Sequence, residues 1–272
     1  VELEPESAPN WRYLGETSHI VGYRARSLEA YEKYLTFKPD DAEILQIVVA
    51  LRDEPPPGRA PNKFVEQLYT RFASFYEKNM CDELGYNGPQ RVGKILNQFL
   101  GDASDLDALD IGCGTGLSGK PLKPRSASLT GIDLSADMLK AAEGTGLYDE
   151  LERAEITEWL ANRKDPFDLI VGCDTCIYFG DLNQVISPAS RLLRPGGWLL
   201  ISVERGDTYP FRLTDSGRYS HTQQHIEEAA KEAGLIVLNV EEGFLRNEYS
   251  KPVIATMVLM QKALMQKKLE TE

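Results

Sequence analysis

Residues 110–116 combine an acidic side chain with three glycines that are separated by single residues. The segment reads Asp110-Ile-Gly-Cys-Gly-Thr-Gly, with glycines at 112, 114 and 116. Because glycine lacks a Cβ and tolerates tight turns, a ligand can approach such a backbone closely. The spacing is one residue shorter than the dinucleotide pattern G-x-G-x-x-G, and the chain has no G-K-[ST] for a nucleoside triphosphate. The turn therefore predicts a site for a different ligand.

A second carboxylate, Asp133, closes the strand-like run "SLTGID", 17 residues after Gly116. A carboxylate at a strand end can accept hydrogen bonds from both hydroxyls of a ribose, each worth about 1.5–3 kcal/mol when the acceptor is charged. Asp133 could instead cap the helix that begins after Ser135. Ser135 is the better helix cap, which leaves Asp133 for a ligand.

Three further side chains follow predicted strands and could move a proton or orient a substrate: Asp174, Tyr178 and His221. A histidine with an ordinary pKa of ~6.5 can take a proton at neutral pH. His221 and His225 are four residues apart but lack a third ligand, so we predict no metal site. Cys173 and Cys176 form one C-x-x-C pair without a second, which favours buried free thiols.

The segment between the fifth predicted strand and the next helix is rich in basic and aromatic residues. We expect residues 205–221 to form a lid over an anionic or aromatic substrate, and a solvated loop is the alternative. The candidate substrate-binding residues in it are Tyr209, Arg212, Arg218 and Tyr219.

These residues require a scaffold in which strand ends meet. From residue 63 onward, apolar strand-like runs alternate with helical runs. This alternation predicts an α/β doubly wound fold with a mostly parallel, seven-stranded sheet that is covered on both faces. Only residues 243–251 separate the last two strands, too few for a crossover helix, so the last strand should be antiparallel. In such sheets ligands bind at the carboxyl ends of the strands.

Three segments are predicted: a helical segment 1–52, a Pro-rich linker 53–62 with three consecutive prolines, and the α/β domain 63–272. The helical segment resembles one tetratricopeptide repeat of about 34 residues plus the first helix of another. Trp11, Leu14, Gly15, Tyr31 and Pro39 carry this resemblance. We expect the segment to pack on the larger domain or to bind a protein partner.

Composition limits the classes of partner. The chain has 272 residues, 42% of them hydrophobic, and a formal net charge of −12. So acidic a protein is a poor candidate for nucleic-acid binding, which depends on cationic contacts to phosphate. Its longest apolar runs have strand length, which predicts no membrane span and favours a cytoplasmic location. Because the sequence begins with Val1, a targeting segment upstream stays an open alternative.

Four blocks resemble the signatures of class I S-adenosylmethionine-dependent methyltransferases: "LDIGCGTG", "GIDLS", "FDLIVGCD" and "LLRPGGWLLISVE". The resemblance extends to the branch that carries tetratricopeptide repeats upstream. It is carried there by Leu84-Gly85-Tyr86 with Pro89, "GLYDEL" at 146–151, "GRYSHT" at 217–222 and the segment from Arg246 to Val253.

The resemblance implies a Rossmann-like fold, S-adenosyl-L-methionine as the cofactor, S-adenosyl-L-homocysteine as its product, and a small-molecule methyl acceptor. It also implies the cofactor contacts. Asp110 would hold the methionine amino group through water, and Cys173 would offer its backbone at the same end. The ribose would lie on Asp133, and the other expected contacts are Gly112, Gly114, Gly116, Leu134, Met138, Glu155 and Ile156.

Two alternatives remain at this level. The helix after the linker lacks two aspartates of the family pattern, at Thr70 and Tyr76. That departure favours, as one alternative, a weakly active or inactive cofactor-binding scaffold that works through its repeat segment. A protein methyltransferase is the other. Whether N, O, S or C is methylated is left open.

Overall fold

The computed structural model describes residues 6–52, 54–248 and 251–264. Its N-terminal part contains helices α1 (Ala8–Ile20), α2 (Arg24–Phe37) and α3 (Ala42–Leu51). A Cβ on Gly15 would lie 2.5 Å from the Tyr31 ring, so only glycine allows α1 and α2 to approach this closely. Asp41 caps α3 by accepting from the Ile44 N–H at 3.2 Å. Residues 1–5 of the predicted segment 1–52 lie outside the described residues.

The three helices pack against the rest of the chain. The buried Gln46 side chain of α3 donates from Nε2 to the carbonyl of Gly217 at 3.1 Å. Ala42 and Ala50 of the same helix belong to the main apolar core. Arg24 of α2 pairs with Asp215. The helical segment is therefore an integral part of this fold.

The Pro-rich linker is fixed rather than free; of the predicted residues 53–62 the structure describes 54–62, and residue 62 already belongs to the next helix. The carbonyl of Gly58 accepts from the N–H groups of Gly180 and Asp181 at 2.9 Å, and the Ala60 N–H donates to the carbonyl of Tyr178 at 2.8 Å. The next helix, α4 (Asn62–Phe72), begins directly after it. The linker thus forms a strap along the loop 176–181.

A single mixed sheet forms the centre of the larger domain. Within the described ranges it has nine strands: β1 (Leu106–Ile111), β2 (Ser126–Asp133), β3 (Glu150–Arg153), β4 (Phe167–Gly172), β5 (Leu193–Arg205), β6 (Phe211–Leu213), β7 (Tyr219–His221), β8 (Leu235–Glu248) and β9 (Lys251–Lys262). The first five strands are mutually parallel in the order β3-β2-β1-β4-β5. As predicted, the last strand is antiparallel, and β9 pairs in this way with both β5 and β8.

Helices cover both faces of the sheet: α5 (Gly88–Leu100), α6 (Gly119–Leu122), α7 (Ala136–Gly144), α8 (Ile156–Asn162), α9 (Asn183–Leu192) and α10 (Gln223–Glu232). The strands are apolar at successive positions because alternate residues enter different cores. In β4, Leu169 and Val171 join the cluster that includes α5, whereas Ile170 joins the cluster that includes α9. All three are 0% exposed. This packing confirms the sheet covered on both faces.

The predicted number of seven strands was wrong, because β6 and β7 form an additional hairpin. Strand β5 pairs with β4 only as far as Ile201, and β7 pairs with the β5 residues Glu204 and Arg205 beyond that point. The hairpin therefore extends the sheet at its carboxyl edge, above the end of β4. Most of the predicted lid 205–221 is thus sheet structure and a turn.

Within this hairpin, His221 is 0% exposed, and its Nε2–H donates to the carbonyl of Phe179 at 2.8 Å. Its ring stacks on that of His225 with centroids 5.6 Å apart. Burial and the neighbouring His225 lower the pKa of His221 to about 4. His221 is therefore a neutral core residue at physiological pH.

Among the helices in the described ranges, none combines the length and apolar composition that a membrane crossing requires.

We predict that isolated residues 1–52 do not fold cooperatively, because part of the buried surface of α3 is completed by the larger domain. Circular dichroism should show low helicity without a sigmoidal melt, whereas the full chain melts cooperatively under the same conditions. A cooperative thermal transition of the isolated segment would show that it is an independent domain.

We also predict that His221 makes the protein acid-sensitive. In the unfolded chain this histidine is protonated near pH ~6.5. In the folded protein it stays neutral until about pH 4. Stability is therefore complete above pH ~6.5 and falls as the pH drops toward 4, by up to about 3 kcal/mol from this group. Chemical denaturation of the wild type and of His221→Gln, which can keep a donor to Phe179, should show a smaller loss in the variant. Equal losses would remove His221 as the cause.

Candidate active site

The glycine turn after β1 uses its three glycines for different reasons. All have positive φ, at 68° for Gly112, 55° for Gly114 and 92° for Gly116. A Cβ on Gly112 would lie 2.5 Å from Thr175, and one on Gly116 would lie 3.0 Å from the Tyr148 ring. A Cβ on Gly114 would meet nothing within 4 Å, because this residue faces a cavity. Gly112 and Gly114 line that cavity, whereas Gly116 is a packing residue behind it.

Asp133, at the end of β2, also lines this first cavity. Its carboxylate accepts from the Gly114 N–H at 3.0 Å and from the Ser135 N–H at 2.8 Å. Ser135 itself caps α7 through the Met138 N–H, as expected. Burial raises the pKa of Asp133 above its usual value. The carboxylate therefore both fixes the glycine turn and faces the cavity beside Leu134.

Besides Gly116, two other expected cofactor contacts, Asp110 and Met138, do not line the cavity. Asp110 is 1% exposed and accepts the Tyr148 hydroxyl at 2.7 Å behind the turn. Burial raises its pKa to about 7. Met138 is 0% exposed in the core under α7. The sequence pattern correctly identifies the end of the strand at which the cavity lies. It does not show which side chains near that end point away from the cavity.

The opposite wall includes residues that the sequence did not single out. The lining includes Glu155, Ile156 and Cys173, which the resemblance suggested as cofactor contacts, and also Arg59 and Ala60 from the strap and Asn62, Val65 and Tyr69 from α4. Arg59 donates to the Glu155 carboxylate at 2.9 Å and lies over the Phe179 ring. The prolines beside Arg59 indicate a spacer, and nothing local in the sequence shows that the strap returns to the sheet edge.

One buried group in the first cavity lacks a partner. Thr115 is 2% exposed, and its hydroxyl has no hydrogen bond within the described chain. An unpaired buried hydroxyl is costly unless a ligand satisfies it. Together with the open face of Gly114, this hydroxyl fits a cavity that receives a polar, compact ligand.

A second cavity of about 310 Å³ adjoins the first. Side chains from α1, α2, α3 and α4 form one side of it, and residues of β8 and of the β6–β7 turn form the other. Four residues line both cavities: Tyr69, Tyr76, Asp174 and Tyr178. We call these four residues the shared wall.

The shared wall holds two of the three predicted catalytic residues. The hydroxyls of Tyr178 and Tyr69 lie 2.9 Å apart. Asp174 has φ 56°, a left-handed conformation that aspartate tolerates, and both its oxygens accept from Nη1 of Arg246 at 2.8 Å. Burial raises the pKa of Tyr178 above its usual value, so this phenol stays protonated and can donate. Strained backbone of this kind is common at functional sites.

The third predicted catalytic residue, His221, is not brought to either cavity. The formation of β7 buries its ring behind Phe179, which itself lines the first cavity. The structure therefore does not support the prediction that His221 is the catalytic base.

The predicted substrate residues are also dispersed. Tyr219 is 0% exposed, and its hydroxyl donates to the carbonyl of Pro57 in the strap. Tyr209 is 55% exposed, and its hydroxyl donates to Glu228. Arg212 is exposed on β6 and lines neither cavity. Only Arg218 reaches the second cavity, where Glu204 and Glu248 already pair with it. The expectation of an open cationic lid is therefore not met.

The two cysteines of the C-x-x-C pair are buried free thiols. Burial raises the pKa of both Cys173 and Cys176 to about 12. The described residues contain no group of three or more His, Cys, Asp and Glu that could hold a metal ion.

The sequence of this chain is similar to those of known methyltransferases. A family model described as "Methyltransferase domain" matches residues 109–199, which run from β1 into β5. The ubiquinone biosynthesis O-methyltransferase of Xylella fastidiosa is 32% identical over 172 residues, which cover 56% of this chain and 70% of that enzyme. The enzyme of the same name from Bordetella avium is 25% identical over 159 residues, 52% of this chain and 66% of its own length. The chain thus spans about two thirds of these relatives.

A solved structure extends the similarity to the fold. The 1,6-didemethyltoxoflavin-N1-methyltransferase of Burkholderia thailandensis, solved with S-adenosylhomocysteine, is 19% identical with a TM-score of 0.57 and covers 77% of this chain and 93% of its own. The sheet order, the glycine turn at the end of β1 and the extent of the Xylella match together assign the family. The chain belongs to the class I S-adenosylmethionine-dependent methyltransferases and is an enzyme that uses S-adenosylmethionine as its methyl donor.

Proposed function

We propose that this enzyme methylates a hydroxyl group of a small molecule that binds in the second cavity. The observation that carries the proposal is the shared wall, because its four side chains belong to both cavities. A donor in one cavity and an acceptor in the other would meet there. The names of the Xylella and Bordetella relatives favour oxygen as the methylated atom.

The residues of the first cavity fit the cofactor. Asp133 would accept from the ribose hydroxyls, and Leu134 with Ile156 would enclose the adenine near Glu155. The unpaired Thr115 hydroxyl and the open face of Gly114 would contact the polar part of the cofactor. When bound, the cofactor supplies a methyl group on a positively charged sulfur.

The shared wall would orient the acceptor and remove water from it. Tyr178 and Tyr69 both stay protonated, since burial raises the pKa of both, and the hydroxyl that accepts in their mutual hydrogen bond can donate to the methyl acceptor. Asp174 is the candidate to accept the hydrogen bond, and finally the proton, of the acceptor hydroxyl. Arg246 holds its carboxylate in one orientation, which suits the alignment that a displacement reaction requires.

The alternatives expected from the sequence receive less support. A scaffold or a protein methyltransferase would use the helical segment to bind a partner. Here α3 contacts Gly217, and residues of all three helices line the second cavity. The segment instead supplies one side of the proposed acceptor site. Its resemblance to tetratricopeptide repeats stays a proposal about its origin.

Cofactor binding can be tested on Asp133. We predict that Asp133→Ala weakens S-adenosylmethionine and S-adenosylhomocysteine binding about 10- to 150-fold, because charged hydrogen bonds to the ribose are lost. Calorimetric titration measures this change, with Asp137→Ala on the exposed side of α7 as the matched control. Unchanged affinity in Asp133→Ala would overturn the ribose contact.

Because Asp133 also fixes the glycine turn, a second variant separates binding from folding. Thr115→Val removes a buried hydroxyl that has no partner, so the free protein should melt at an equal or higher temperature. The same variant should bind the cofactor several-fold more weakly. Full affinity in Thr115→Val would place this hydroxyl outside the cofactor site.

The acceptor side can be tested on Tyr178. We predict that Tyr178→Phe lowers kcat/KM for any hydroxyl acceptor about 2- to 12-fold through loss of one hydrogen bond, and leaves cofactor affinity within about threefold. Tyr13→Phe, on an exposed ring of α1, is the control. Steady-state kinetics on an acceptor found by screening the wild type provides the measurement. An unchanged kcat/KM would remove Tyr178 from the acceptor site.

A further inference from the structure

Five charged side chains form a continuous chain of ion pairs beside the second cavity. Arg246 binds Asp174 at 2.8 Å and Glu204 at 2.6 Å. Arg218 binds the same Glu204 at 3.1 Å and also pairs with Glu248. We call these residues the ion-pair chain. Asp174, Arg218, Arg246 and Glu248 line the second cavity.

The ion-pair chain contains three carboxylates but only two guanidinium groups, so one negative charge is in excess. Arg218 lowers the pKa of Glu248 against the opposing effect of burial, which keeps this carboxylate ionised. Oε1 of Glu248 accepts from Arg218, and within the described residues no hydrogen bond is made to Oε2. An uncompensated charge in a partly buried site is unfavourable unless a ligand balances it.

Among the residues that the structure describes, the other charged groups at this cavity do not supply the missing positive charge. Glu16 and Glu43 share Arg12 with Asp41, and Glu43 also binds Arg71. This second group again has three carboxylates for two guanidiniums. Burial lowers the pKa of His19 against the opposing effect of the nearby Asp215 and Glu248, and the lowered pKa favours the neutral form of His19. Arg24, near this cavity, pairs with Asp215.

Aromatic rings form much of the remaining lining. Tyr31, Phe64, Tyr69, Phe72, Tyr76 and Tyr178 all contribute to it. The faces of such rings are negative and attract cations at distances up to about 6 Å. The hydroxyl of Tyr76 has no hydrogen-bond partner in the described part of the chain and is available to a ligand. The ring faces and the excess carboxylate charge both favour a positively charged ligand.

We propose that the acceptor carries a positively charged amine, which binds Glu248 while its hydroxyl lies at the shared wall. This inference rests on the proposed function, since it assigns the second cavity to the acceptor. It replaces the expectation of an anionic substrate from the basic segment 205–221. Arg218 of that segment pairs with two carboxylates, and Arg205 pairs with Glu242 at 3.0 Å. An anion would therefore meet repulsion from an acidic cavity.

The test uses three catechols that differ only in their side chain: an aminoethyl, an ethyl and a carboxymethyl catechol. Each is titrated by calorimetry into the full-length enzyme saturated with S-adenosylhomocysteine, so that binding is measured without turnover. Methyl transfer from S-adenosylmethionine to each is then measured separately. We expect the amine to bind about tenfold or more tightly than the neutral compound, and the carboxylate to bind most weakly.

Two variants locate the charge effect. Glu248→Gln should reduce the affinity for the amine about tenfold and leave the neutral catechol within about twofold. Glu242→Gln, on the same strand but in a surface pair with Arg205, should change neither. Cofactor affinity should stay unchanged in both variants, because Glu248 does not line the first cavity.

The outcomes separate the two proposals. Preference for the amine that is lost only in Glu248→Gln supports the inference. Equal or tighter binding of the neutral or anionic catechol, no effect of Glu248→Gln, or no binding of the amine overturns it while cofactor binding and methyl transfer stand. Failure of S-adenosylhomocysteine to bind, or of any hydroxyl compound to be methylated, overturns the proposed function itself.

Discussion

The carboxyl edge of the sheet depends on the ion-pair chain that crosses it. Asp174 follows β4, Glu204 ends β5, Arg218 precedes β7, and Arg246 lies on β8. Four separate stretches of sequence are thus held together by two guanidinium groups. Removing one partner of such a buried network would leave an unpaired charge, which typically costs about 3–5 kcal/mol. The network therefore fixes both the sheet edge and the carboxylate that faces the two cavities.

The N-terminal region supplies the remaining walls of the two cavities at this edge of the sheet. The strap binds the loop after β4 through Gly58 and Ala60, and its Arg59 lines the first cavity. Helix α4 then supplies Tyr69 to both cavities. Helices α1–α3 enclose the second cavity from the far side. The larger domain alone would provide the glycine turn and Asp133, but it would leave the reaction open to water.

The sequence predicted well those features that depend on local pattern. Apolar strands and the short final connection gave the sheet and its antiparallel end, and strand-end positions gave Asp133, Asp174 and Tyr178. The sequence-based prediction failed for side chains whose charge or burial depends on residues far away in the chain. Arg218 is neutralised by Glu204 and Glu248, 14 and 30 residues away. His221 and Tyr219 were expected at a lid because the hairpin was missed, although the turn Thr214–Gly217 between alternating residues is a hairpin signal.

The position of α4 has a kinetic consequence. This helix follows directly from the strap, and Tyr69 near its end borders the first and the second cavity at once. Displacement of the strap and α4 would therefore expose both ligands in the same event. Such a displacement would couple release of the spent donor to departure of the methylated acceptor.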